Sequence, residues 1–280
     1  MSLTISLPKE KAIARALKLG NSWTGGAIAH KELESVFGKL PFTQTSIFGR
    51  VGRAIMTSLY RKVNSHYYAP GLSGRDASTL RCWAMALLNL TPRLTRARAQ
   101  VDDLIIYTDA ATATQIIAAV KIDTRTFRAD RALSDVFSRR VGRKWKTLFD
   151  PAGEIYGLEM LAIFAIRIGP FADLTGLNII FFVGNNNSLE GLVSNAPGPP
   201  VIAAMAQLIW YRIADLNAAV WFGRVPSTKN IADLSTKLKD LPIPSRHIAN
   251  FTCLQSAFDL VVAATAAILN GQPVQPLQRN

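Results

Sequence analysis

Three carboxylates in the second half of the sequence, Asp109, Glu159 and Asp233, fall in segments that can bring them together. Asp109 closes a short apolar run, Leu104-Ile105-Ile106-Tyr107, and so sits at the end of a candidate strand; Glu159 lies in an apolar helical pattern; Asp233 opens a late helical turn. Oxygen ligands of this kind suit Mg2+, and a pair of such ions stabilises both the attacking and the leaving oxygen in phosphodiester cleavage. Separations of 50 and 74 residues let the three segments meet, though spacing alone does not require it. Taken singly, each acid has a plain structural reading: Asp109 as a strand-end turn residue, Glu159 as a helix surface charge, Asp233 as a first-turn acid favoured by the helix dipole.

The elements that must position these acids are legible in outline. From Lys9 to about Leu90 the pattern is helical, broken by Gly25-Gly26, Pro41 and Pro70-Gly71, and Thr91-Pro92 ends the last helix. The character changes near residue 101. This divides the chain into a basic, mostly helical region (1–100), an α/β domain (101–240), and a C-terminal helix and tail (241–280). Within the α/β domain, the run ending at Asp109 and a second strand over Gln115 to Ile122 form a hairpin. Residues 125–149 read as a basic, polar insertion, a solvated loop with sparse apolar positions. A helix over Ile155 to Ile168, a strand over Ile179 to Val183, and a helix starting near Ser188, with Asn187 or Ser188 as its cap, come next. A long helix to about Asn217, a strand over Ala219 to Val225, and a helical turn at Asn230 to Thr236 complete an alternation that implies a mixed sheet flanked by helices.

Charge and cysteine content bound the partners and the compartment. The first hundred residues carry 15 Lys/Arg against 4 Asp/Glu, a net +11 of the chain's +13, which suits a polyanionic partner such as nucleic acid. Two distant cysteines, Cys82 and Cys253, indicate neither a disulfide framework nor a zinc module, and fit a reducing intracellular compartment. His30, His66 and His247 are scattered singly and offer no ligand cluster. The longest apolar stretch, Leu260 to Leu269, is too short to span a bilayer and reads as a buried helix, so no membrane association is expected. The N-terminus lacks the continuous apolar stretch of a secretory signal, and Glu10 counts against a mitochondrial presequence without removing that address from consideration beside cytoplasm and nucleus. Trp83 fits a helical core pattern, whereas Trp145 lies among Arg143, Lys144 and Lys146, a setting suited to nucleic-acid contact.

The wording around the three acids resembles a known family. Ile106-Tyr107-Thr108-Asp109-Ala110, Leu158-Glu159-Met160-Leu161-Ala162, Ile180-Phe181-Phe182-Val183-Gly184-Asn185 and Val225-Pro226-Ser227-Thr228-Lys229-Asn230-Ile231-Ala232-Asp233 are similar, in this order, to the motifs of the ribonuclease H domain of retroelement reverse transcriptases, the DIRS-like and related long-terminal-repeat types above all. The last motif is the most specific, and Leu234-Ser235-Thr236-Lys237 completes it approximately. A weaker likeness to the segment after the polymerase palm covers Leu33 to Phe42, Arg53 to Tyr60 and Leu80 to Leu88, and no Tyr-x-Asp-Asp polymerase motif occurs.

The resemblance implies a ribonuclease H-like fold: a mixed five-stranded sheet flanked by helices, preceded by a mostly helical thumb or connection region. It also implies two-ion Mg2+ chemistry at Asp109, Glu159 and Asp233 and cleavage of the RNA strand in RNA/DNA hybrids. Candidate nucleic-acid contacts are Arg143, Lys144, Trp145 and Lys146 in the insertion, with Asn185 and Asn230 from the last two motifs. A polymerase subunit or larger complex is an expected partner. One departure bears on activity: the family has an Asp directly before the Asn at 185, and this chain has Gly184, which offers no ligand atom. The alternative to a weakened enzyme is an inactive ribonuclease H-like domain kept as a structural or nucleic-acid-binding module.

Overall fold

The computed structural model describes residues 103–112, 116–135, 154–168, 174–194, 199–237, 248–250 and 254–270, with 272 and 274, and, in the first hundred, residues 2–4, 14, 18, 77, 80, 81, 83, 84 and 94–96. The apolar run before Asp109 forms the central strand β1 (Leu104–Ala111), and the strand continues past the acid to Ala111. Its hairpin partner β2 (Ile116–Asp123) pairs antiparallel, with Asp109 opposite Ala118. Small side chains in β2 let helices approach from both sides, and Ile117 to Val120 are fully buried.

A third strand, β3 (Ala129–Asp135), pairs antiparallel with β2, inside the segment expected to be a solvated loop. Its sequence, ADRALSD, has too many charged residues to advertise a strand, and the neighbouring strand supplies the hydrogen bonds that propensity does not. The turn before it is set by Asp123, whose Oδ1 accepts from the backbone N–H groups of Arg125 (2.8 Å) and Thr126 (2.9 Å), an arrangement that tightens the hairpin locally. Those two N–H groups hold the exposed Asp123 carboxyl below its ordinary pKa.

Helix α1 (Glu154–Ile168) packs on β1 and β2, and strand β4 (Asn178–Val183) then returns parallel to β1. Helices α2 (Asn186–Ser194) and α3 (Pro200–Asp215) lead to β5 (Ala219–Arg224), which pairs parallel with β4. A short turn of 3-10 helix, Ser227–Lys229, precedes α4 (Ile231–Thr236). A short strand β6 (Ile248–Asn250) and α5 (Leu254–Leu269) follow. The sheet order is β5-β4-β1-β2-β3-β6, so the expected five strands gain a sixth that runs parallel to β3 at the edge. The last helix starts six residues before the apolar stretch that announced it, and packs on α3 and α1.

The core lies between the sheet and the layer of α1, α3 and α5. Leu158 and Met160 to Ala165 are all fully buried, because α1 has the sheet on one side and helices on the other. On the opposite face of the sheet α4 covers β1 and β2, with Ala232 against Ala118 and Val120 and with Tyr107, Ile122 and Ile231 around them. The helical residues Leu80, Trp83 and Ala84 are buried in the main core, in keeping with the reading of Trp83. Residues 2–4 and 94–96, outside the helical pattern expected from Lys9 to about Leu90, pair as a short antiparallel ribbon; residues 14, 18, 77, 80, 81, 83 and 84 are helical, and the rest of 1–100 lies outside the described residues. No helix among the described residues is long and apolar enough to cross a membrane.

Asp103 ties three of these pieces together. Buried at the start of β1, it accepts from the Asn178 backbone N–H (2.9 Å) and amide side chain (3.3 Å), and pairs with the Arg125 guanidinium from the β2–β3 turn.

Candidate functional site

Parallel pairing of β1 with β4 sets Thr108 opposite Val183, so Asp109 and Gly184 follow side by side at the same end of the sheet. The Thr108 hydroxyl reinforces the register by donating to the Phe182 carbonyl (3.3 Å). Chain direction reverses just beyond Gly184, where Asn185 caps α2: its Oδ1 accepts from the Ser188 backbone N–H at 3.1 Å. The cap is therefore Asn185, two residues earlier than the nearer of the two expected caps, and its side-chain oxygen is committed to the helix.

Glu159 reaches the same place from α1. With Leu158 and Met160 fully buried beside it and only 3% of its own surface exposed, it is not a helix surface charge. A Cβ on Gly184 would lie 3.5 Å from Asp109 Oδ1, 3.5 Å from Glu159 Oε1 and 3.4 Å from Asn230 Nδ2. The missing side chain of Gly184 is thus directed at a pocket shared by the two acids.

The third acid comes from α4. Asn230 caps this helix through Oδ1, which accepts from the Ala232 N–H at 3.2 Å, while its Nδ2 donates to the Thr108 carbonyl (3.0 Å) and to Asp109 Oδ1 (3.3 Å). With its amide engaged on both sides and 3% exposure, Asn230 acts here as a positioning residue that locks α4 onto β1. Asp233 follows in the first turn, and its Oδ2 is paired with Lys237 Nζ at 2.6 Å. One residue earlier, the Thr236 hydroxyl lies 2.5 Å from Asp109 Oδ2 and 3.0 Å from the Asp233 carbonyl; its single proton serves the nearer oxygen.

Burial dominates the electrostatics. It pushes Asp109 up to about 6, against the lowering effect of the Thr236 hydroxyl and with a further push from the Asp233 charge. Glu159 is raised well above the ordinary carboxylate range by burial first and then by the charges of Asp109 and Asp233. Its Oε2 is buried without a hydrogen-bond partner. The Lys237 ammonium, exposed, is held in its charged form by its bond to Asp233 and by the Asp109 charge beyond it.

The three acids expected from the sequence thus act on one another through their charges, and Asp109 and Glu159 face one pocket. Among the described residues no group of three His, Cys, Asp or Glu side chains is set to hold a metal ion as placed. Thr236 and Lys237 each engage a carboxylate oxygen of the trio. Neither was singled out from the sequence. The available signal was spacing: positions three and four after Asp233 share its helical face. Arg143, Lys144, Trp145 and Lys146 lie outside the described residues. No protein-family model matches the chain, and no curated protein matches it.

Proposed function

We propose that this chain is a ribonuclease H-like domain, related to those of retroelement reverse transcriptases, that binds RNA/DNA hybrids and cleaves their RNA strand with metal assistance, at a rate reduced by Gly184. The observation that carries this reading is the convergence of Asp109 Oδ1 and Glu159 Oε1 on the point where Gly184 lacks a Cβ, each 3.5 Å from it. The mixed sheet with β4 and β5 parallel to β1, and β2 and β3 antiparallel in sequence, is compatible with the fold.

The donor set fits a hard divalent ion such as Mg2+ at one position. All its atoms are oxygens, and Glu159 Oε2 is a buried acceptor with no donor. Asp109 and Glu159 would hold the ion, with Asp233 nearby and Gly184 leaving the neighbouring position to water; a bound ion supplies Lewis-acid polarisation of a phosphate and an activated water. The chain's own residues prepare that position. Asn230 and Thr236 fix the two oxygens of Asp109, and Lys237 balances the charge of Asp233. Loss of one carboxylate at such a centre costs about a thousandfold or more in rate, so slow turnover is expected. The net +11 of the first hundred residues suits the nucleic-acid backbone, and a polymerase subunit or larger complex would supply the function missing from this chain.

A second reading, a non-catalytic nucleic-acid-binding module, is favoured by Thr236 and Lys237, which satisfy Asp109 and Asp233 without any ion. One experiment separates them. Purified chain is incubated with an end-labelled RNA/DNA hybrid and Mg2+ or Mn2+, beside Asp109→Asn and Gly184→Asp. Slow cleavage by the native chain, abolished in Asp109→Asn, supports the enzyme. Silence in the native chain with activity in Gly184→Asp identifies a decayed centre; silence in both, with hybrid binding retained, supports the module.

A further inference from the structure

Among the described residues, α4 covers only part of its face of the sheet. Cross-strand register places Tyr107 of β1 opposite Phe182 of β4, and Phe182 opposite Gly223 of β5, while Ile180, two residues before Phe182, lies opposite Trp221. Tyr107, Phe182, Gly223 and Trp221 therefore share one face, because directly paired residues project to the same side and strand side chains alternate. The alternate positions, Ile106, Phe181 and Phe222, are buried on the other face beneath the helices. Among the described residues, helix α4 packs over β1 and β2 and not over β4 and β5, and Trp221 is 71% exposed.

The aromatic groups form a built arrangement. Tyr107 and Phe182 are stacked, with ring centroids 5.0 Å apart and planes inclined by 26°. A Cβ on Gly223 would come within 3.3 Å of the Phe182 ring and 3.9 Å of Trp221 Nε1, so glycine leaves the space in which the ring lies over the strand beside the indole. Three strands thus present a row of rings that ends at an exposed Trp on an edge strand. One exposed cation, Lys229, follows in the turn between β5 and α4, whereas Arg224, the last residue of β5, alternates to the face that carries Phe222.

We propose that this aromatic face binds single-stranded nucleic acid, with bases stacked on Trp221 and Phe182 and the phosphate backbone drawn to Lys229. Every base has a π-face, so stacking of this kind tolerates any sequence, while basic side chains beside the rings neutralise phosphates. An apolar protein partner would bury the rings but leave Lys229 without a counter-charge at the rim of the contact. Stacking on these rings requires none of the three carboxylates, and stands whether or not the carboxylates cleave anything.

The test uses the full chain and two fluorescent probes of about 15 nucleotides, an oligo-dT and an abasic strand with the same number of phosphates. Electrostatic attraction by the rest of the chain acts on both probes alike. The native chain is expected to bind oligo-dT about tenfold more tightly than the abasic strand, Trp221→Ala to lose this preference, and Trp221→Phe to keep most of it. Circular dichroism is expected to leave Trp221→Ala unchanged, as befits an exposed side chain. Equal binding of the two probes by the native chain overturns the proposal, as does a preference that survives in Trp221→Ala. A change of sedimentation in Trp221→Ala without any change in the preference would assign the face to a protein contact and likewise overturn it.

Discussion

The hydroxyl of Thr236 lies 2.5 Å from Oδ2 of Asp109, joining the last turn of α4 to the central strand beside the Asp109–Glu159 pair. A hydrogen bond from a neutral donor to a buried carboxylate stabilises both the helix position and the ionised form of the acid. Thr236→Val keeps the shape and removes the donor. It should cost about 1–3 kcal/mol in urea denaturation at neutral pH and move the titration of Asp109 further above 6. Unchanged stability and titration would show that this bond does not hold α4 in place.

The pH dependence has a definite sign. Asp109 titrates near 6 in the folded chain against 3.8 for an ordinary Asp, and Glu159 is shifted in the same direction. Between those values the folded state binds more protons than the unfolded one, so the stability linked to these acids is fully present below about 4 and is lost as pH rises through about 6 and beyond. For Asp109 the loss is up to about 3 kcal/mol, at about 1.4 kcal/mol per pKa unit. Thermal melts from pH 4 to 8 without divalent metal should show the native chain losing ground relative to Asp109→Asn across this window. A constant difference between the two would contradict the buried, repelling arrangement.

Gly184→Asp should fold, because the added Cβ meets only ordinary contacts of 3.4–3.5 Å and Gly184 is not among the residues of positive φ. It places a further acid beside Asp109 and Glu159, so in a chelator it should melt several degrees below the native chain. Added Mn2+ or Mg2+ should reverse the order, since a bound ion stabilises by mass action and the variant offers one more ligand. Isothermal titration with Mn2+ checks the affinity directly; failure of metal to raise the variant's melting temperature would remove Gly184 from any ion site.

Asn230 makes a distinct prediction, because both halves of its amide are engaged. Asn230→Ala removes the α4 cap and orphans the Thr108 carbonyl, at about 2–3 kcal/mol in denaturant unfolding. Asn230→Asp keeps an oxygen for the cap but sets a second carboxylate beside Asp109, and should be less stable at pH 8 than at pH 5.

In the segment 143–146 the expectation rests on charge alone. Lys144→Ala with Lys146→Ala should flatten the salt dependence of hybrid binding by about two in the log–log slope if both residues meet phosphates. An unchanged slope would take the segment out of the interface.

The strands that read clearly in the sequence are those rich in β-branched and aromatic residues, β1, β4 and β5, and Asp109 near the end of β1 was legible with them. β3 was not, because Asp130, Arg131 and Asp135 give it the composition of a loop, and only pairing with β2 reveals it. β6 is three residues long and carries too little pattern to be seen. At the site, Asp109, Glu159 and Asp233 were picked out by the motifs around them, whereas Thr236 and Lys237 depend on where α4 docks, a property of Asn230 and Ala232 packing on β1 and β2 that lies outside any local window. The aromatic row was equally hidden, since its members are 75 and 39 residues apart and meet only through strand register.

β6 enters the sheet only after α4 is complete, as its outermost strand, alongside β3. A chain cut after Lys237 would retain every acid of the pocket and yet leave the backbone amides and carbonyls of β3 bare along one flank. Such a flank templates the addition of foreign strands. Strand β6 thus acts as a seal on that edge, and versions of the protein shortened to Lys237 should be prone to associate through β3.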